Sequence, residues 1–392
     1  MPWQRVTPMS EKKEFVNLAV AEDANISRLC RRFKVSRKTG YKWLNRFLLE
    51  KDAGLADRSR RPHGSPSATS AALEAAVLQV REAHPAWGGR KIRARLQALG
   101  WVEVPAASTI TAILRRHGLI NPEESAKHKA WQRFEAEAPN DLWQMDFKGH
   151  FAAAQGRCHP LTVLDDHSRY ALGLEACSNE QGGTVRERLT KIFRRYGLPR
   201  KILVDNGPPW GGGWEHPYTP VTVWWLRLGI AVSHGRPRHP QTLGKDERFH
   251  RTLQAELLQY CQGLELARCQ PRFDDWRRCY NLERPHEALK MAVPASRYRE
   301  SPRSLPEALP PWEYDPGNQV RKVQAEGWFS FRSREYHISK AFRGECVALR
   351  PTRHDGVWEV FFGPHRIARL NERESGDEAQ SLVMIIPPRR GV

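Results

Sequence analysis

The chain has 392 residues, which is enough for two or three domains with their own hydrophobic cores. Its 63 Lys and Arg against 44 Asp and Glu give a net charge of +19, which favours a polyanionic partner. No run approaches the roughly 18 apolar residues of a membrane helix and the mean hydropathy is −0.65, so the sequence predicts no membrane partner. Seven cysteines without a CxxC pair or a signal peptide predict reduced thiols in an intracellular protein.

The basic charge is concentrated near the amino terminus, where residues 1–130 hold 24 Lys and Arg against 12 Asp and Glu. Apolar residues in the first part of this region recur at helical spacings with polar breaks between short segments, which predicts a helix-turn-helix DNA-binding domain over residues 1–52. The apolar positions of this pattern are Phe15, Leu18, Ile26, Leu29, Phe33, Val35, Trp43 and Phe47.

The last helix of this domain has the features of a recognition helix. Ser36 can cap its amino terminus, and four polar or basic side chains then fall in its first two turns, where such a helix meets base edges and phosphates. We expect these side chains to contact DNA, the alternative being an ordinary solvated basic face. They are Arg37, Lys38, Tyr41 and Lys42.

A breaker-rich stretch without periodicity, ADRSRRPHGSPSATS, follows this domain. Its Pro, Gly and Ser residues predict a linker over residues 53–69. Three arginines in it, Arg58, Arg60 and Arg61, are candidates for contacts with the DNA backbone.

Helical periodicity returns over residues 70–125 and predicts a second helix-turn-helix domain. Its last helix is expected to be capped by Ser108 or Thr109. Arg90 and Lys91 lie in a short, strongly basic helix and are predicted to contact phosphates. The alternative is a three-helix linker domain with a charged surface.

Near residue 140 the pattern changes from helical to strand-like. The segment DLWQMDFKGHF alternates apolar and polar side chains and places Asp146 on the less apolar face of a strand. Two further strands joined by a polar turn complete a meander, and KILVDNG is a short buried strand that ends at Asp205. Ligand and metal sites of open α/β sheets gather beyond the carboxyl ends of strands, so Asp205 is well placed to bind a metal ion.

A long helix is predicted to begin near residue 242. Glu247 lies about one turn inside it and shares a stripe with Arg251, whereas Asp246 is about 100° away around the helix, so we favour Glu247 as a third metal-binding carboxylate. The apolar residues that repeat every four positions and should face the core are Phe249, Leu253 and Leu257.

Asp146, Asp205 and Glu247 therefore form a candidate carboxylate trio. Carboxylate oxygens hold Mg²⁺, and two such ions roughly 3.5 to 4 Å apart can clamp the attacking and leaving oxygens of a phosphodiester. Together with the basic amino-terminal region, the trio indicates chemistry on nucleic acid.

Five sequence blocks in order resemble the catalytic core of bacterial insertion-sequence transposases related to retroviral integrases: WQMDF, LTVLDDHSRY, VDNGPP, HGRPRHPQTLGKDERFHRTL and YNLERPHEAL. The resemblance covers about residues 10 to 300, including the two helix-turn-helix units ahead of the core. It implies a multidomain α+β protein whose core, over residues 135–300, is a ribonuclease H-like α/β fold with a mixed sheet. It also carries the family's two aspartates and glutamate onto Asp146, Asp205 and Glu247.

The resemblance implies metal-dependent strand transfer with two Mg²⁺ or Mn²⁺ ions per active site. Water would attack a phosphodiester at the transposon end, and the freed 3′-hydroxyl would then attack target DNA. The implied partners are double-stranded DNA and further copies of the chain, which hold two ends together in the bacterial cytoplasm, at the nucleoid when bound. Cations that could position phosphates, or that are simply surface charges, are Lys148, Arg236, His239, Lys245 and Arg251.

Two features depart from the retroviral pattern. Asp205 and Glu247 are 42 positions apart, which exceeds the familiar integrase spacing, and the Gly-rich segment WGGGWEHPYT accounts for the extra length as a surface insertion. Cys30 is the only cysteine before Asp146, so we expect no zinc at an amino-terminal His and Cys site.

Residues 302–316 are rich in Pro and break all periodicity, which predicts a connection to a last domain. Residues 317–390 alternate apolar and polar side chains between Gly or Asp-Gly turns, so we expect a small β-barrel-like domain of about five strands. Such a domain could bind the DNA backbone or a second subunit.

Two other functions are compatible with parts of the sequence. A catalytically inactive helix-turn-helix regulator would keep the DNA-binding units but has no physical need for the acid trio. A ribonuclease H-type nuclease would need the trio but not two recognition units. A transposase uses both, and it is the function that the sequence favours.

Overall fold

The structure is a computed structural model of the chain. The structure describes residues 7–58, 69–120, 135–213, 217–235, 244–373 and 383–384. The chain divides into two compact units, residues 1–68 and 69–392, and each is described by itself. Among the described helices, none is both long and apolar enough to cross a membrane.

The first unit contains three helices, α1 (Pro8–Ala19), α2 (Ile26–Arg32) and α3 (Arg37–Glu50). Thr7, Asn25 and Ser36 cap them, each accepting a hydrogen bond from a backbone N–H in the first turn. The bond from the Thr39 N–H to the Ser36 hydroxyl is 3.1 Å long, so the predicted Ser36 cap of α3 is confirmed.

The core of this unit is small and tightly packed. Phe15, Val16 and Cys30 are buried, and a Cβ on Gly40 would lie 2.5 Å from the Cys30 sulphur, so α3 approaches α2 closely. Leu55, beyond the predicted end of the domain, is also buried, because a 3₁₀ turn after α3 returns to the core. Leu18, an apolar position of the helical pattern, is 38% exposed.

The second unit begins with three helices, α4 (Ala71–Ala83), α5 (Gly89–Ala98) and α6 (Ala107–Arg116). The expected cap of α6 by Ser108 or Thr109 is wrong, because α6 begins earlier, after Ala106, and has no side-chain cap. The apolar side chains that pack between the three helices are Leu73, Val77, Trp87, Ile92, Leu96, Ile110, Ile113 and Leu114.

A mixed sheet follows, in the order β4-β3-β1-β5-β6. Its strands are β1 (Trp143–Phe147), β2 (Phe151–Ala152), β3 (Arg157–Asp165), β4 (Ala171–Cys177), β5 (Lys201–Val204) and β6 (Ala231–His234). β3 pairs antiparallel with β1 and β4, and the short β2 pairs with the start of β3. β5 runs parallel to both β1 and β6. This order confirms the predicted mixed sheet with an opening meander.

Four helices cover the two faces of this sheet: α7 (Gly182–Tyr196), α8 (Pro220–Arg227), α9 (Gly244–Glu256) and α10 (Leu266–Leu282). One core packs α7 and α8 against side chains such as Trp143 and Met145. The other packs α9 and α10 against Leu164 and Leu174, because successive residues of a strand point to opposite faces. The predicted inward-facing residues of α9 are buried: Phe249, Leu253 and Leu257.

The carboxyl-terminal region is rich in strands, as predicted: β7 (Gln319–Lys322), β8 (Trp328–Phe331), β9 (Arg334–His337), β10 (Cys346–Pro351), β11 (Val357–Phe362), β12 (His365–Asn371) and β13 (Val383–Met384). The barrel-like closure is not observed in the described part of this region, because one sheet runs β13-β12-β11-β10-β7 and β8 and β9 form a separate hairpin. The sheet buries Val347 and Phe362 in one core with Phe329 and Phe342, so its apolar face is covered without curling onto itself.

Candidate active site

Asp146 and Asp205 lie at the carboxyl ends of adjacent parallel strands. Asp146 is near the end of β1, and Asp205 directly follows β5. The two strands pair with Trp143 opposite Ile202 and Gln144 opposite Leu203, and the same register continued by two residues places Asp146 opposite Asp205. The parallel pairing of two short strands thus brings two acids that are distant in sequence to one edge of the sheet.

The electrostatics of the two aspartates reflect this proximity. Burial, followed by the negative charge of Asp205, raises the pKa of Asp146 to about 7. Burial also raises the pKa of Asp205, against the hydrogen bond that the Gly207 N–H donates to its Oδ1 over 3.1 Å. Glu180, which the sequence analysis passed over, adds negative charge near both. An edge with this much negative charge favours a cation.

The first turn of α9 carries two acids that face different ways. Asp246 is 1% exposed and shares a stripe with Phe249 and Leu253, three and seven residues further on. The Glu247 side chain is 65% exposed and accepts a hydrogen bond of 3.0 Å from Arg251. The predicted stripe of Glu247 and Arg251 therefore exists, but it faces solvent, whereas Asp246 points into the core.

The predicted trio is not gathered into a tight ligand set in the described part of the chain. Among the described residues, one group of three side chains has its potential ligand atoms within 4.8 Å of one another. That group contains none of Asp146, Asp205 and Glu247. Asp246 has no hydrogen-bond partner for either carboxylate oxygen among the described residues, and burial followed by the charges of Asp146 and Asp166 raises its pKa well above the usual range. A buried carboxyl group without donors is stable only when it is protonated or lies beside a cation.

Lys245 anchors the start of α9 to the turn after β3. Its Nζ lies 2.5 Å from Oδ2 of Asp166, which is fully buried. Asp166 also accepts hydrogen bonds from the Ala136 N–H over 2.7 Å and from Gln144 Nε2 over 2.6 Å. Burial lowers the pKa of Lys245 to about 8, although the charge of Asp166 opposes this shift. The pairing turns the amine inward, so the position of Lys245 gives no support to its predicted DNA contact.

Other buried polar residues hold the strands that carry the aspartates. The Thr162 hydroxyl donates its one hydrogen to the Asp146 carbonyl over 2.8 Å, so it accepts from His250 Nε2 over 2.8 Å. Burial lowers the pKa of His250 to about 4 and keeps its ring neutral. His234 Nδ1 donates to the Asp205 carbonyl over 2.7 Å. His250 lies four residues after Asp246, so helical periodicity could have placed it in the interior; Thr162 and His234 carry no such signal.

The four predicted base and phosphate contacts of the first unit lie together on α3. Arg37, Lys38, Tyr41 and Lys42 are all exposed in the first two turns of that helix, which begins at the Ser36 cap. Arg58 forms an ion pair with Glu50, so part of its charge is neutralised within the unit. Arg60 and Arg61 lie outside the described residues.

Arg90 and Lys91 lie beside charged residues in and after α10 instead of forming a separate basic surface. Arg90 is exposed but lies 3.5 Å from Glu287. Lys91 is partly buried, and burial followed by the charge of Arg284 lowers its pKa to about 8. The predicted phosphate contact of Lys91 would require that amine to leave its present surroundings, so we regard Arg90 as the better placed of the two.

Four predicted DNA contacts remain, and the structure describes two of them, Lys148 and Arg251. Lys148 is close enough to Asp146 for its charge to oppose the rise in that pKa. Arg251 is engaged with Glu247 on the exposed side of α9. Arg236 and His239 lie outside the described residues. The DNA-contact roles of all these side chains stay predictions.

Known families match the helical domains, the domain with the mixed sheet and the carboxyl-terminal strands. Residues 11–63 match a helix-turn-helix domain and residues 39–114 a homeodomain-like domain. Residues 136–240 and 228–294 match integrase core domains. Residues 318–378 match the C-terminal domain of IS481 family transposases.

Two insertion-element proteins are similar in sequence to this chain. The chain is 27% identical over 249 residues to an uncharacterised 39.2 kDa protein of insertion element IS476 from Xanthomonas euvesicatoria, covering 62% of this chain and 69% of that protein. It is also 27% identical over 158 residues to an uncharacterised 31.7 kDa protein of insertion element IS407 from Burkholderia multivorans, covering 40% of this chain and 55% of that protein. Among solved structures, the HTLV-2 integrase catalytic core domain matches with a TM-score of 0.33 and 16% identity over 42% of this chain and 100% of that one.

Helix-turn-helix domains ahead of an integrase core define a protein of the transposase and integrase class. The carboxyl-terminal domain and the insertion-element relatives narrow the class further. These findings support an insertion-sequence transposase with an integrase-like core.

Proposed function

We propose that this chain binds the ends of an insertion element through its helix-turn-helix domains and catalyses metal-dependent cleavage and strand transfer with Asp146, Asp205 and Glu247. The observation that carries the proposal is the register of β1 and β5, which puts Asp146 opposite Asp205 at the carboxyl edge of the sheet. Two adjacent carboxylates repel each other, and a cation that both can bind removes that repulsion.

The side chains at this edge fit a hard divalent cation. Carboxylate oxygens are the ligands that Mg²⁺ and Mn²⁺ prefer, and we propose two ions per active site, held by Asp146, Asp205 and Glu247. Bound ions would lower the pKa of a water molecule or a 3′-hydroxyl and neutralise charge on the phosphate. The exposed carboxylate of Glu247 can approach such a site from the solvent side.

The protein orients these ligands and the DNA around them. The Thr162 hydroxyl fixes the backbone of Asp146, and the Gly207 N–H fixes one oxygen of Asp205. We propose double-stranded DNA as the partner at both end and target, and a homo-oligomer that holds two ends together in the bacterial cytoplasm. The proposed divisions of the chain are 1–52, the linker 53–69, 70–125, 135–300 and 317–390.

The test is an assay of cleavage and joining on a labelled duplex that carries the element's own end, with Mg²⁺ or Mn²⁺. We expect metal-dependent joined product from the parent and none from Asp205→Ala. Asp275→Ala is the matched control, because Asp275 is exposed and paired with Arg278 on α10. Tight binding to the end without cleavage, with Asp205→Ala indistinguishable from the parent, would instead identify an inactive DNA-binding regulator.

End binding should depend steeply on salt if α3 reads DNA. Each phosphate contact contributes about 0.9 to the slope of log affinity against log salt, so Arg37→Ala combined with Lys42→Ala should reduce that slope by about 2. Fluorescence anisotropy across a salt series measures it. Lys13→Ala, which removes an exposed cation paired with Asp52, should leave the slope unchanged. A nearly flat salt response of the parent would contradict the DNA role.

A further inference from the structure

Three side chains of different chemistry meet where the second helix-turn-helix domain contacts the catalytic core. The Nδ1 or Nε2 atom of His84, the sulphur of Cys279 and a carboxylate oxygen of Glu283 all lie within 4.8 Å of one another. We propose that they form a binding site for a thiophilic divalent cation of the Zn²⁺ type, separate from the carboxylate site and independent of the proposed catalytic function.

The backbone presents the three ligands from two elements. Cys279 and Glu283 are four residues apart at the end of α10, so both point from one face of that helix. His84 is the residue that ends α4, with its backbone N–H bonded to the Val80 carbonyl. The Cys279 sulphur and His84 Nδ1 are 3.9 Å apart, a separation that a small inward movement would reduce to that of two ligands on one zinc ion.

The ligand atoms are oriented and available. The His84 ring stacks on Trp87 with ring centroids 3.8 Å apart, which fixes the plane of the imidazole. Arg95 donates a hydrogen bond of 2.5 Å to Oε2 of Glu283, and it leaves the other carboxylate oxygen for the cation. A second interaction that orients a metal-binding carboxylate in this way is a common feature of protein metal sites.

The chemistry of the set selects the ion. A thiolate, an imidazole and a carboxylate are ligands for zinc, whereas Mg²⁺ prefers oxygen alone, and three protein ligands leave a fourth position for water. Burial lowers the pKa of His84, which keeps its ring neutral and able to bind. Burial, then Glu283 and Glu256, raises the pKa of Cys279 to about 11 against the opposing charges of Arg95 and Arg284, so binding must displace the thiol proton.

A cation here would tie the two domains together. The same joint already contains the ion pair between Arg95 and Glu283 and the longer pair between Arg90 and Glu287. The site differs from the amino-terminal His and Cys zinc site that the sequence excludes. His84 and Cys279 are 195 positions apart, so no ligand spacing in the sequence reveals it.

The test is a titration of the full chain with Co²⁺ after treatment with a chelator. A thiolate bound to cobalt gives a near-ultraviolet charge-transfer band, and we expect the band to saturate at one equivalent and to disappear when Zn²⁺ is added. Cys279→Ser should abolish the band, and His84→Asn should weaken Co²⁺ binding by at least the roughly 10-fold seen for the loss of supporting groups. Cys346→Ser is the matched control, because Cys346 is exposed and far from this group in sequence.

Thermal unfolding supplies a readout that does not depend on the thiolate band. Zn²⁺ should raise the Tm of the parent and of Cys346→Ser but not that of His84→Asn, a substitution of a partly exposed residue at the end of α4. Absence of the cobalt band in the parent would overturn the proposal. A band that persists in Cys279→Ser, or a Zn²⁺ effect on Tm that is unchanged in His84→Asn, would overturn it equally.

Discussion

Glu247→Gln is expected to reduce strand transfer by about 10³-fold or more, equivalent to at least about 4 kcal/mol of transition-state stabilisation. Metal ions that bind both the protein and DNA need protein carboxylates on the surface, where DNA can reach the ions. The Glu247 side chain is 65% exposed, whereas Asp246 is 1% exposed and surrounded by the core. The measurement is the rate of joining of a pre-cleaved end to target DNA under saturating metal.

Asp246→Val is the matched comparison on the same turn of α9. It should leave joining within about tenfold of the parent and should stabilise the fold by about 1–3 kcal/mol, because it removes a buried carboxyl group without hydrogen-bond partners. Glu247→Gln, at an exposed position, should change the free energy of unfolding by less than about 0.5 kcal/mol. The reverse pattern, with joining lost in Asp246→Val and kept in Glu247→Gln, would assign the third ligand to Asp246.

The part of the site that follows from strand order could be predicted from the sequence. DLWQMDFKGHF and KILVDNG each show a short strand that ends near an acid, and the carboxyl ends of parallel strands share one edge of a sheet. Recognising both strands was therefore enough to expect Asp146 and Asp205 at that edge. The mixed sheet and the helical amino-terminal domains follow from similarly strong local periodicity.

The orientation of side chains on α9 was harder to predict from the sequence. Asp246 and Glu247 are neighbours, so a small error in the assumed inward face of the helix exchanges the buried acid with the exposed one. The apolar residues Phe249, Leu253 and Leu257 define the inward stripe, and Asp246, three residues before Phe249, continues it. A charged residue on an apolar stripe is normally taken as exposed. Here tertiary packing overrides that preference.

Individual side-chain contacts between distant elements could not be predicted from the sequence. The polar turn in LTVLDDHSRY indicated a connection between two strands, yet Asp166 in that turn pairs with Lys245, which the sequence assigned to DNA. The carboxyl-terminal strands were visible as alternating patterns. Whether their sheet closes depends on what covers its apolar face, and residues such as Phe329 and Phe342 outside the sheet provide that cover.

Asp166→Ala is expected to destabilise the chain by about 3–5 kcal/mol, because it breaks the buried ion pair between the Asp166 carboxylate and the Lys245 amine. The substitution also removes the acceptor of two hydrogen bonds, which Gln144 Nε2 and the Ala136 N–H donate to Asp166. The bond from Ala136 ties the segment before β1 to the turn after β3. Chemical denaturation at neutral pH measures the effect. Asp141→Ala is a suitable control, since Asp141 is only partly buried and its partner Arg200 is exposed.

A double variant separates the ion pair from the hydrogen bonds that share its carboxylate. Lys245→Met removes the amine but keeps a chain of similar length, so Asp166→Ala combined with Lys245→Met should be less destabilised than the sum of the two single variants by about 1–3 kcal/mol. Additive effects would show that the pair contributes nothing beyond the hydrogen bonds of Asp166. Lys245 is two residues before Glu247, so its ion pair with Asp166 also holds the start of α9, and with it Glu247, against the turn after β3. Both single variants should therefore lose strand transfer under conditions in which they remain folded.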